Sequence, residues 1–212
     1  MFIEKYIKSE NNIIYVNTTS PKIAIDSDDL TLWNLGNCIL YKYTWSDNDV
    51  NKINNIKQYC KNKELIVQIK GGKNFIPIMN ILPQVNYIFF ETDGKTRADL
   101  ITQYKELKMT CAGFKVKIFC KIIGISAADL HKCVDELKYY NCDGLWFNDD
   151  QVKNYRRISL YKFIETYRDN MNIWVDTTNP EKIELPIEGV VIHPENMTLK
   201  EFAALQNGGN YD

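Results

Sequence analysis

The sequence lacks an excess of charge of either sign. There are 26 Lys and Arg against 27 Asp and Glu, a formal net charge of -1 over 212 residues. That excludes both a strongly basic nucleic-acid footprint and an acidic disordered chain. It also lacks any apolar run approaching the roughly 18 residues of a membrane span. The first residues, MFIEKYIKSENN, alternate apolar and charged side chains where a signal peptide would run apolar. A cytoplasmic protein that binds neither nucleic acid nor membrane is expected. The six cysteines (38, 60, 111, 120, 133 and 142) form no C-x-x-C pair, no Cys/His spacing of a zinc site and no radical-type iron–sulfur triplet. Their expected state is reduced and mostly buried. The phosphate-loop pattern G-x-x-x-x-G-K-[ST] is missing as well. No nucleotide or iron–sulfur cofactor is signalled, and metal use is left open. The surplus of Lys over Arg, with frequent Asn and Ile, reads as the mark of an AT-rich genome.

What the chain does have is a repeating alternation of short apolar strands and amphipathic helices. FIEKYIK and IIYVN, joined by SENN, read as an N-terminal hairpin within residues 1–20. Eight strands follow: 22–26, 38–44, 65–70, 87–92, 116–122, 144–149, 173–177 and 190–194. Helical stripes lie between most of them. DVNKINNIKQYCKN carries Val50, Ile53, Ile56 and Tyr59 on one face, and SAADLHKCVDELKYY, capped by Ser126, carries Leu130, Val134 and Leu137. SLYKFIETYRDN is similar, as is TLKEFAALQN, which opens with Thr198 and Glu201 at capping-box spacing. Most strands start about 22–29 residues apart, the repeat of a βα unit, and the first and last spacings, about 16, leave room only for short helices. Eight units predict a compact (β/α)8 TIM-like barrel over 21–205, with an open doubly wound sheet as the alternative. No composition break divides the chain, so 1–212 reads as a single domain with a tail at 206–212.

Alternate residues of a strand point to opposite faces. Sorted this way, nearly every strand has one apolar face and one that turns polar near its C-terminal end. With the apolar face against the helices, the polar ends converge at the barrel mouth, where barrel enzymes carry their chemistry. The predicted ring is Asp26, Lys42, Gln68, Lys70, Glu91, Lys121, Asn148, Asp176 and His193. An inert packed core has no use for so many charges, because burying a charge is costly unless it is paired or used.

Lys70 and Lys121 are candidates either to attack a carbonyl or, with more weight, to serve as ion-paired point charges that bind an anion. Glu91, Asp176 and His193 are candidates for general acid/base work. Asp26, Asp176 and His193 would be neighbours on the first, seventh and eighth strands, and two acids and a His can hold a divalent metal. Gly71 and Gly72, between Lys70 and Lys73, would let backbone N–H groups approach an anion, or simply make a turn. With Asp26, Lys42, Gln68 and Asn148 they form the expected substrate-binding set. Trp146 and Trp174 are expected to fill the interior. Tyr43 and Trp45 fall on the opposite face, and His131 belongs on an exposed helix face.

Residues 172–195, NIWVDTTNPEKIELPIEGVVIHPE, resemble the last two units of glycerophosphodiester phosphodiesterase barrels. The resemblance implies the barrel and no more. That family carries His-Arg-Gly after its first strand, where this chain reads AIDSDD, and the Glu-x-Asp spacing of Glu91-Thr92-Asp93 falls on the fourth strand.

Two functions fit. One is an enzyme, a lyase, isomerase or hydrolase, acting on a small anionic or carbonyl substrate at the Lys/Glu/Asp/His-lined mouth. The other is a non-catalytic barrel that binds a protein or peptide partner, favoured by short βα loops that could not close as a lid. A homodimer through the edge of the N-terminal hairpin is a further expectation.

Overall fold

The computed structural model describes residues 14–16, 22–26, 36–72, 74–122, 127–148, 171–177, 183–185 and 188–192. Among the described residues ten strands run in chain order: β1 (Ile14–Val16), β2 (Lys22–Ile25), β3 (Cys38–Lys42), β4 (Glu64–Lys70), β5 (Tyr87–Glu91), β6 (Lys117–Lys121), β7 (Gly144–Asn148), β8 (Asn172–Thr177), β9 (Ile183–Leu185) and β10 (Gly189–Ile192). The described helices are α1 (Asp49–Tyr59), α2 (Arg97–Thr110) and α3 (Ala127–Tyr139), with two 3-10 turns at Ile76–Asn80 and Leu82–Gln84. The hydrogen-bonded order is β10-β2-β3-β4-β5-β6-β7-β8, and β10 also pairs with β8, so the order closes on itself. The fold is the (β/α)8 barrel rather than the open sheet. The eight expected strands are these eight, each displaced by no more than two residues at either end.

The chain divides into two compact units, 1–39 with 147–212, and 40–146. In the first, β10 lies parallel to both β2 and β8, with Val191 opposite Ala24 and Asp176. The Trp174 ring sits over Gly189, where any Cβ would strike it. A separate parallel pair joins β1 to β9, its register running from Ile14 opposite Ile183 to Val16 opposite Leu185. IIYVN is thus a strand, as expected, but its described partner is Ile183–Leu185, which the pattern of three residues did not announce. The other arm of the expected hairpin, 2–8, lies outside the described residues, as do Ser126, Thr198, Glu201, the helical stretches SLYKFIETYRDN and TLKEFAALQN, and the tail 206–212.

In the second unit, β4 to β7 form a parallel run with unbroken register. One face, Leu65, Val67, Ile69, Ile88, Phe90, Ile118, Cys120 and Leu145, is fully buried. Tyr104 and Leu107 of α2 and Leu130, Val134 and Leu137 of α3 are buried with it, which is the expected stripe of α3. On α1 the stripe holds for Ile53 and Ile56, but Tyr59 is 74% exposed at the last position of the helix. Thr96 and Asp99 close a full capping box at the start of α2. The β4–β5 crossover differs from its neighbours: two 3-10 turns, each with proline in its first positions, replace a helix. Tyr43 packs edge-on to Trp45, Trp45 meets Phe75, and Phe75 meets Phe90, so Tyr43 and Trp45 do lie on the outer side.

Candidate functional site

The register of the second unit aligns its inner face. Gln68 lies opposite Phe89, Lys70 opposite Glu91, and Lys121 opposite Trp146. Along this face β5 reads Tyr87, Phe89 and Glu91, and β6 reads Lys117, Phe119 and Lys121, so aromatic rings lie beneath a charged C-terminal end. Tyr87 meets Phe119 at 5.8 Å, Phe89 meets Phe119 at 5.6 Å, and Phe89 stacks on Trp146 at 5.5 Å with planes 18° apart. The Trp146 indole N–H donates to the Phe90 carbonyl at 3.3 Å, which fixes the ring. Offset aromatic packing of this kind contributes about 0.5–1.5 kcal/mol per pair beyond burial.

Above this floor, at the C-terminal ends of adjacent strands, Lys121 Nζ donates to Glu91 Oε2 at 2.9 Å. Lys121 also stands 5.0 Å over the Trp146 ring. The side chains keep 18% and 29% of their exposure, so the pair is shielded yet reachable. Two of the five residues expected to be catalytic are therefore in direct contact. Lys70 and Lys42 are exposed, Gln68 is half-buried, and β3 joins β4 through the Tyr43 N–H and the Gln68 carbonyl at 2.9 Å.

Gly71 and Gly72 form a turn held by the chain's own side chains. The Gly71 N–H donates to the Glu91 carbonyl at 2.7 Å. A Cβ on Gly71 would strike the Gln103 amide, and one on Gly72 the Asp93 carboxylate, and Gly72 has φ +84°. Thr92 Oγ1 donates to Gln103 Oε1 at 2.7 Å and accepts from the Gly94 N–H at 3.1 Å, while Gln103 Nε2 donates to Asp93. Close approach, together with the left-handed backbone of Gly72, accounts for both glycines. Lys73 lies outside the described residues.

The first unit carries the remaining expected positions. Asp176 is half-buried on β8, in register with Val191 and, through it, with Ala24; half-buried Asp26 follows β2 two residues beyond Ala24. The strands of Asp26 and Asp176 thus flank β10, the order that the expected acid pair requires. Asn148 ends β7, and His193 lies outside the described residues. Among the described residues no three His, Cys, Asp or Glu side chains gather as a metal-binding group. No described helix is long and apolar enough to cross a membrane. Trp146 and Trp174 are buried and His131 is exposed, as expected.

All six cysteines are buried and none is bonded to another. Burial pushes the Cys111 thiol up to about 12. It also pushes Cys120 well up, and Cys142, its sulfur 3.7 Å away, adds to that. Thiols held protonated are poor nucleophiles, and these belong to the core.

One buried carboxylate, Asp49, is not among the expected positions. Asp49, the first residue of α1, accepts from the Tyr41 hydroxyl at 2.5 Å, the Thr44 hydroxyl at 2.9 Å, and the Thr44 and Ser46 N–H groups at 3.2 and 2.9 Å. Burial alone would raise its pKa, but the bonds from Tyr41, Thr44 and Ser46 outweigh it and hold the carboxyl below its ordinary value. The Ser46-x-x-Asp49 spacing was the signal that could have found it.

No family model matches the chain, and no curated relative matches it. Solved structures do. KGPDC from Streptococcus mutans is 9% identical with a TM-score of 0.61, over 88% of this chain and 95% of that one. Orotidine 5'-monophosphate decarboxylase from Methanocaldococcus jannaschii is 16% identical with a TM-score of 0.59, over 90% and 99%. An HpcH/HpaI aldolase/citrate lyase family protein from Burkholderia cenocepacia is 8% identical with a TM-score of 0.55, over 84% and 89%. At these identities the likeness shows the fold, and the fold is the TIM barrel.

Proposed function

We propose that the chain is a small TIM-barrel enzyme that acts on a small anionic or carbonyl substrate, with Glu91 and Lys121 at the centre of its chemistry. The observation that carries this reading is the shielded Lys121–Glu91 contact at the C-terminal ends of β5 and β6, the end at which barrel enzymes work. A Lys already bonded to a carboxylate is better suited to polarise a carbonyl than to attack it. Glu91 is then the base: it takes a proton from the substrate while Lys121 stabilises the negative charge that develops on the carbonyl oxygen. Lys70 and Lys42 supply further positive charge for an anionic group. Among lyase, isomerase and hydrolase chemistry, the lyase reading has support from neighbours named as a decarboxylase and an aldolase/citrate lyase.

The test is a thermal-shift screen against small phosphates, keto acids, sugars and divalent metals. A ligand at 100 times its dissociation constant adds about 2.7 kcal/mol, a rise of several degrees for a chain of this size. The expected hit is an anion or a keto acid, lost in Glu91→Gln and in Lys121→Met while both variants remain folded. A hit that survives both substitutions removes Glu91 and Lys121 from the reading. No hit across the panel favours the barrel that binds a protein or peptide.

A further inference from the structure

The charged groups at the C-terminal ends of β4, β5 and β6 have an order as well as a composition. Parallel register puts Lys70 opposite Glu91, and Lys121 opposite Trp146. Phe90 lies opposite Cys120, so Glu91 and Lys121 are the next pair along. One row therefore reads Lys70, Glu91, Lys121 across three adjacent strands, the two lysine backbones about 10 Å apart. The Gly71 N–H on the Glu91 carbonyl carries the β4–β5 register past the end of the strand. The two lysines are not equivalent. Lys121 is bonded to Glu91, which matches its charge, and the Trp146 ring lies 5.0 Å beneath it. Lys70 is exposed and has no ion pair among the described residues.

We infer that the substrate is an oxo acid whose acidic carbon lies between its carbonyl group and its anionic group, and that Lys70 is the residue that selects it. The inference rests on the roles proposed above for Glu91 and Lys121. A neutral carbonyl oxygen suits Lys121, because an anion brought there would also meet the Glu91 carboxylate. When Glu91 takes the substrate proton, the C–H electron pair becomes the C=C bond of an enolate and the carbonyl π pair moves onto oxygen. Glu91 is then neutral, and the charge of Lys121 is left unmatched just as that oxygen turns negative. The anionic group falls to Lys70, on the other side of Glu91. The order along the row is thus anion, C–H, carbonyl. A 2-oxo acid such as pyruvate, with its carbonyl between the carboxylate and the C–H, has the wrong order.

Deuterium exchange into 4-oxopentanoate in D2O, catalysed by the full chain and followed by proton NMR, tests it. This stable acid offers one carbonyl with acidic C–H bonds on both sides: C3, toward the carboxylate, and the C5 methyl, away from it. The parent is expected to accelerate exchange at C3 over C5. Lys70→Ala is expected to raise KM by about tenfold or more, with a smaller fall in kcat, and to lose the preference for C3; Lys70→Arg is expected to restore both. Glu91→Gln and Lys121→Met are each expected to end exchange at both carbons, with circular dichroism unchanged. Exchange that survives either of those two substitutions overturns the proposed chemistry itself. Exchange that needs both residues but runs equally at C5, or keeps its KM in Lys70→Ala, leaves that chemistry standing and overturns the role of Lys70. A parent chain that accelerates exchange at neither carbon overturns the substrate order, and the ligand screen then decides the chemistry separately.

Discussion

Two carboxylates of the same unit have opposite surroundings. Asp49 is fully buried and receives four hydrogen bonds from Tyr41 of β3 and from the loop after it, two from side-chain hydroxyls and two from backbone N–H groups. Glu91 is partly open, and the bond described to its side chain comes from Lys121. A carboxylate whose lone pairs are all occupied has nothing left to offer a substrate, and its loss falls on stability. One with spare acceptor capacity at the end of a barrel strand contributes little to folding and is available for chemistry. The difference lies in the number and origin of donors, and both acids are equally plain as letters in the sequence.

The largest expected effect breaks the comparison if it is wrong. Asp49→Ala leaves the Tyr41 and Thr44 hydroxyls and two N–H groups without their acceptor, and should cost about 3 kcal/mol, on the order of 10 °C in Tm. Glu91→Gln keeps the shape and an acceptor oxygen for Lys121, and should stay within about 1 kcal/mol of the parent. Urea unfolding of the two variants beside the parent measures both. Equal losses would make Glu91 as structural as Asp49 and weaken the case for chemistry at that edge.

A third carboxylate sharpens the contrast. Asp93 is exposed, yet it is tied by Gln103 and pressed against Gly72. Gly72 and Gly113 both have positive φ, +84° and +91°, but only Gly72 has a neighbour where a Cβ would go. Alanine at Gly113 should cost about 1–2 kcal/mol from the left-handed backbone alone. At Gly72 it should cost about 1 kcal/mol more, because Asp93 must also leave its place. Unfolding free energies of the two variants give that difference directly. If they match, Asp93 moves aside freely and the turn is a simple one.

The strands were legible because each is an apolar run separated from the next by a helical stripe, and the inner face was legible by parity: Glu91, Lys121 and Trp146 do share it. The crossover at 76–84 was not, since a segment apolar on both sides has no period to read. Nor was the partner of β1, because three residues of IEL alternate too briefly to stand out from a loop. Asp49 was missed for a different reason. Its role depends on how the loop after β3 folds back, and that brings Tyr41, on the face opposite Lys42, to the same carboxylate as Thr44.

The smallest expected effect is in the pH dependence, and its sign follows from Asp49. Its folded pKa lies below the ordinary aspartate value. The stability it contributes is therefore fully present above the unfolded pKa, about 3.9, and is lost as pH falls through the folded value. Asp99 shares the direction, its carboxyl held low by the Thr96 hydroxyl and N–H in the capping box, but it is only half-buried and serves as the comparison. Unfolding free energies from pH 6 downward should fall more steeply for the parent than for Asp49→Asn, and the two curves should converge at the acid end. If Asp49→Asn also keeps the parent's slope, the four donors do not favour the charged form, and the distinction between a satisfied structural acid and an available one would have to rest on burial alone.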